Sequence, residues 1–179
     1  MIMVLVLTAC SSTTKDKAEY EIASPVYIAL AQKSLDYLVS FQYDSFAEML
    51  ADSVEYELPN GKKLKGKTAI ISFWKDYKAV SGLQSMVIVN ANYLPINANT
   101  TPKGSGKIGI KVVSDFTNKM TFKEKTIALK MTFSFHFNNQ SLIDYLITFY
   151  DSARLDFVQP AINNQSLQTK NGVAENRLE

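Results

Sequence analysis

Only one cysteine, Cys10, and one histidine, His136, occur in the 179 residues of this chain. A lone cysteine excludes an internal disulfide, so the chain is not a disulfide-stapled scaffold. One histidine, one cysteine and scattered carboxylates lack the spacing that zinc or another transition metal requires, and neither metal nor cofactor is expected. There is no glycine-rich phosphate loop and no nucleophile elbow around any serine. Charge of one sign is not in excess: 19 basic residues face 17 acidic ones, a formal net charge of +2. That balance leaves no basic footprint for nucleic acid. Basic residues do cluster in GKKLKGK, Gly61 to Lys67, but no aromatic is interleaved with them, and the stretch reads as a solvated loop. Long hydrophobic runs are missing as well, since every apolar stretch falls short of the about 20 residues that cross a hydrocarbon layer as a helix.

What is there begins with MIMVLVLTACSS. Met1 to Leu7 has the character of a short export-signal core, with small residues Thr8 and Ala9 before Cys10. The run Leu7-Thr8-Ala9-Cys10 resembles the lipobox of bacterial lipoproteins, and no Lys or Arg precedes it as a basic n-region would. In that family the cysteine thiol is acylated and the chain is cut just before it. The resemblance implies a signal over 1–9, lipidation of Cys10, and attachment to a bacterial membrane facing the periplasm. The competing reading is a buried N-terminal strand with an inert core cysteine.

Residues 10–23 are largely polar and suit a lipidated tether, and 159–179 form a polar tail rich in Asn, Gln and charge. Between them, 24–158 is one domain's worth of chain. Ser24-Pro25 is a helix-start signal, and Ile28, Ala31, Leu35 and Leu38 recur at helical spacing to about Ser40. A short second helix is expected from Asp44 to Leu50, and a third over Thr68 to Val80, with Ile70, Phe73, Trp74 and Tyr77 on one face and Gly82 as its stop. A strand at Val54 to Leu58 lies between them. From Gln84 the period becomes twofold, giving strands near 84–93, 107–118, 126–138 and 142–151, with a long polar loop from Pro95 to Gly106. Helices gathered first and an antiparallel meander after them mark an α+β fold.

This order of elements, and above all DSFAEMLADSVEYELPNGKKLKGKTAIISFW over Asp44 to Trp74, resembles the nuclear transport factor 2 superfamily, which includes ketosteroid isomerase and SnoaL-like polyketide cyclases. The closing FHFNNQSLIDYLITFYD, Phe135 to Asp151, is similar to that family's last hairpin. The resemblance implies a cone-shaped, curved antiparallel sheet wrapped around about three N-terminal helices. It also implies an apolar pocket at the wide end and a homodimer formed through the outer sheet face. At the positions that match the isomerase's base, oxyanion tyrosine and buried Asp, this chain carries Leu58, Ser34 and Phe133. That activity is therefore not carried over.

Among the remaining residues, Asp115 interrupts an apolar strand and is the best acid candidate if the chain is an enzyme. Alternation along Thr132 to Phe137 points Phe133, Phe135 and Phe137 to one face and His136 to the other, away from the pocket. Asp144 reads as a solvated or dimer-facing carboxylate on the face opposite Ile143, Tyr145, Ile147 and Phe149. Tyr56, Trp74, Phe133 and Phe149 are expected nearest the cavity as ligand-binding residues. The reading is an exported, lipid-anchored, non-catalytic domain binding an apolar small molecule or a protein partner. Its alternatives are a SnoaL-like isomerase, cyclase or hydrolase using a pocket carboxylate, and a structural dimer module.

Overall fold

The computed structural model describes residues 19–100, 107–123 and 125–155. The signal over 1–9, Cys10, most of the tether and the polar tail over 159–179 lie outside the described residues. Helix α1 spans Val26–Val39 and buries Ala31, Ser34, Leu35 and Leu38, a three-and-four spacing that turns one stripe inward. Ser34 survives in that stripe because its hydroxyl donates to the Leu30 carbonyl one turn back, at 2.8 Å. Helix α2 covers Tyr43–Glu48. Helix α3, Lys67–Ser81, buries Ile70, Trp74 and Tyr77 and ends where Gly82 adopts the left-handed conformation, φ 69°.

Among the described residues seven strands form one sheet. They are β1 (Tyr20–Ile22), β2 (Leu50–Glu57), β3 (Lys63–Lys65), β4 (Leu83–Ala98), β5 (Gly109–Phe122), β6 (Lys125–Phe137) and β7 (Ile143–Tyr150), in the spatial order β1-β4-β5-β6-β7-β2-β3. Every pair is antiparallel except β2 with β7, which run parallel. The inner face reads off the alternation: Val112, Phe116 and Met120 on β5, and Leu129, Met131, Phe133, Phe135 and Phe137 on β6, are all buried. A register shift between Val89 and Asn92, with Asn90 at φ 55°, breaks the β4–β5 ladder in mid-strand. Such bulges bend a strand and increase its twist. The result is an α+β cone, with three helices held in the concavity of the curved sheet.

Three expectations need correction. Tyr20–Ile22 is not tether but an edge strand registered on β4, Tyr20 opposite Ala98 and Ile22 opposite Ile96. The segment from Pro95 does not leave the sheet, because β4 continues to Ala98. Pro95 is tolerated there since a residue's N–H and C=O point to the same neighbour in a ladder. Its carbonyl accepts from the Ala23 N–H at 3.0 Å, on the edge side where β1 is ending. Finally, GKKLKGK is not simply a loop: Lys63 and Lys65 lie on β3 and pair with Glu57 and Glu55 across the strand, at 3.2 and 3.6 Å. Exposed pairs of this kind contribute little to stability but satisfy cross-strand charge.

Candidate functional site

Helices α1 and α3 do not fill the cone completely. An apolar cavity of about 30 Å³ lies between them and the inner faces of β4, β5 and β6. That is room for about one or two waters. Trp74 is the hub of its aromatic wall. The Tyr56 ring stacks on it at 6.2 Å with an interplanar angle of 15°, while Phe73 and Tyr77 meet it edge-on at 5.4 and 6.0 Å. Phe133 packs against Phe116 on the opposite wall, ring centroids 5.7 Å apart. The Tyr43 hydroxyl, donating to the Trp74 carbonyl at 3.2 Å, ties α2 to the middle of α3. Leu155, in a 3₁₀ turn over Ser152–Leu155 just after β7, is 2% exposed and also lines the cavity.

Polar groups are few on this wall. Tyr56, on β2, accepts a hydrogen bond from the Thr148 hydroxyl of β7 at 2.9 Å. Burial pushes the Tyr56 phenol far above its ordinary value of 10, against the pull of the Thr148 hydrogen bond. Burial raises Tyr77 and Tyr150 in the same direction. All three therefore stay protonated near neutral pH, as hydrogen-bond donors and not as bases. The Tyr77 hydroxyl and the Asn118 Oδ1 are buried without a hydrogen-bond partner among the described residues. No carboxylate, imidazole or amine lines the cavity among the described residues.

Tyr56, Trp74 and Phe133 come together on one cavity. Phe149 does not: it is 54% exposed on the outer face. The cause is a β-bulge. His136 pairs with Tyr145 but Phe137 pairs with Ile143, so Asp144 is an extra residue opposite no partner. Before the bulge Ile143 points inward; after it Leu146 and Thr148 do, and Tyr145, Ile147 and Phe149 are turned out. Tyr150, not Phe149, reaches the cavity.

Asp115 is also outside. It lies on the exposed face of β5 and accepts a hydrogen bond from Thr132 of the neighbouring strand. An acid role inside the cone is excluded for it by geometry. His136 points away from the cavity as expected, yet it is only 8% exposed. Its Nδ1 meets Asp144 and its Nε2 meets the Ile108 carbonyl at 2.8 Å, while Lys107 pairs with the other Asp144 oxygen at 3.2 Å. Both ring nitrogens are committed to the fold, which leaves no free nitrogen for catalysis. Asp144 follows inward-facing Ile143 and so stands on that side, where its contacts to His136 and Lys107 make it a structural anchor and not a solvated carboxylate.

Tyr77 stood on the inward helical face in the sequence, but nothing local distinguished it from a core tyrosine. Asn118 continues the inward alternation of Ser114 and Phe116, and a polar residue at that parity was the available signal. Thr148, Tyr150 and Leu155 carried none, because their facing depends on the bulge and on how the chain leaves β7. Among the described residues no cluster of three or more His, Cys, Asp or Glu side chains could hold a metal ion. No described helix is long and apolar enough to cross a membrane.

No family model matches the sequence, and no curated protein matches it either. Solved structures do match in shape. A protein from Kribbella flavida DSM 17836, provisionally named a ketosteroid isomerase, is 18% identical with a TM-score of 0.53, over 73% of this chain and 81% of that one. A protein from Shewanella denitrificans OS-217, provisionally named a SnoaL-like polyketide cyclase, is 12% identical with a TM-score of 0.56, over 77% and 99%. A nuclear transport factor 2-like protein of unknown function from Burkholderia pseudomallei K96243 is 14% identical with a TM-score of 0.56, over 74% and 95%. At these identities the likeness speaks for the fold alone, and the chain has the cone fold of the SnoaL-like and nuclear transport factor 2-like proteins.

Proposed function

We propose that this chain is an exported, lipid-anchored, non-catalytic module that holds an apolar small molecule inside its cone. The observation that carries the reading is the composition of the cavity wall: aromatic and aliphatic side chains with protonated tyrosines and an amide, and, among the described residues, no group that exchanges protons near neutral pH. Small-molecule sites have this character, mostly apolar with a few placed polar groups. The lipobox-like run at Cys10 supports the anchor, and two acyl chains or more suffice for stable attachment. Outward-facing Leu94, Val113, Ile147 and Phe149 supply apolar area for a homodimer through the outer sheet face, the arrangement that the family resemblance implies.

The small free volume favours a second reading, a structural or partner-binding module whose cone is simply its core. Native mass spectrometry of the full-length chain carrying Cys10→Ser, before and after organic extraction, separates the two. Extra mass removed by extraction supports the bound molecule. The bare polypeptide mass in both states refutes it in favour of the structural module.

A further inference from the structure

Two polar atoms on the cavity wall find no protein partner among the described residues, where apolar side chains would complete a core. Tyr77 is 8% exposed and Asn118 is 5% exposed, and among the described residues neither the Tyr77 hydroxyl nor the Asn118 Oδ1 has a hydrogen-bond partner. Buried polar atoms without partners cost folding free energy, and native structures keep them where something else requires them. Phe at 77 and Leu at 118 would fill the same space without that cost. Each is set on rigid structure: Tyr77 on the inward face of α3, Asn118 on β5 between Phe116 and Met120. Both line the one cavity that also holds Tyr56 and Trp74.

The two atoms are complementary in kind. The Tyr77 phenol, kept protonated by its burial, is a donor, and the Asn118 side-chain carbonyl is an acceptor. Among the described residues no charged side chain lines the wall to compensate an ionised guest. Resting on the reading of the cone as a binding site, we infer that it selects an uncharged, mainly apolar molecule bearing a hydroxyl group, recognised by the Tyr77 hydroxyl and the Asn118 carbonyl. A hydroxyl both accepts and donates, so it can answer either atom.

Phenol and toluene test this directly, since they differ by a hydroxyl in place of a methyl. The protein is the full-length chain with Cys10→Ser, and affinities are read by NMR titration. The expected result is a phenol-to-toluene affinity ratio that falls roughly tenfold in Tyr77→Phe and again in Asn118→Leu, with toluene affinity retained. A ratio unchanged by both substitutions overturns the hydroxyl inference and leaves the apolar-binding reading standing. Binding of neither probe overturns both. Thermal unfolding without ligand gives an independent check: Tyr77→Phe leaves Tm unchanged or raises it if the hydroxyl is unpaired. A Tm lowered by several degrees means the hydroxyl is already satisfied within the fold, which also overturns the inference.

Discussion

Replacing Tyr56 with Phe removes a single oxygen from a side chain that is 2% exposed, and the consequence falls on its neighbour. The Thr148 hydroxyl donates to that oxygen at 2.9 Å and is itself fully buried. In the variant the Thr148 donor has no acceptor, and a buried donor left unsatisfied costs about 1–3 kcal/mol. Taking about 2 kcal/mol, and about 3–5 °C per kcal/mol for a domain of this size, Tm should fall by about 6–10 °C. Thr148→Val removes the stranded donor with little change of shape. The double variant Tyr56→Phe/Thr148→Val should therefore recover at least half of the loss, a coupling of about 1–2 kcal/mol for groups in direct contact. Urea denaturation of the four proteins, each with Cys10→Ser, measures the cycle. Strict additivity, or a Tyr56→Phe variant within about 0.5 kcal/mol of the parent, would refute the view that this bond closes the parallel β2–β7 junction from inside. Contrast with Tyr77→Phe sharpens the point: two buried tyrosines share one cavity, and only the one whose hydroxyl is bonded should be missed.

Cys10→Ala should release the protein from membranes, and sedimentation of the variant with the membrane fraction would contradict the lipid anchor. The Glu57 carboxyl is held below its ordinary value of 4.5, first by the hydrogen bond from the Tyr145 hydroxyl at 2.6 Å and then by Lys63. Its contribution to stability is complete above that ordinary value and is lost as pH falls through the depressed folded one. Chemical denaturation between pH 7 and pH 3 should accordingly show a shallower decline in Tyr145→Phe than in the parent, and parallel curves would count against the assignment. Gly109 has φ +115°, and a Cβ there would stand 3.2 Å from His136 Nε2. Gly109→Ala should cost about 1–3 kcal/mol by backbone strain alone, read as a lowered urea midpoint, and a neutral result would mean that the 107–109 segment adapts freely.

Much of this architecture was legible because the forces that select it are local. Ile28, Ala31, Leu35 and Leu38 repeat at helical spacing, and Phe133, Phe135 and Phe137 at strand spacing, so each element announces its buried face wherever it finally packs. Gly82 stops α3 for an equally local reason, its tolerance of positive φ. Misreadings arose where a neighbour in space decided the outcome. Pro95 reads as a strand breaker until β1 is placed beside it, and Lys63 and Lys65 read as a solvated run until Glu57 and Glu55 come to face them. Along β7 the sequence carries the alternation but not its side, because one extra residue at Asp144 reverses every side chain after it.

From its residues alone, then, this chain determines an α+β order of helices and long strands and the inward-facing parity of β5 and β6. Tertiary structure decides what lies in the cone. Whether Tyr77 and Asn118 find partners, whether Leu155 comes to lie on the cavity wall, and whether about 30 Å³ stays open depend on the meeting of side chains far apart in the chain. A cavity is a small difference between the volume a curved sheet encloses and the volume its side chains fill, and local periodicity carries no record of that difference.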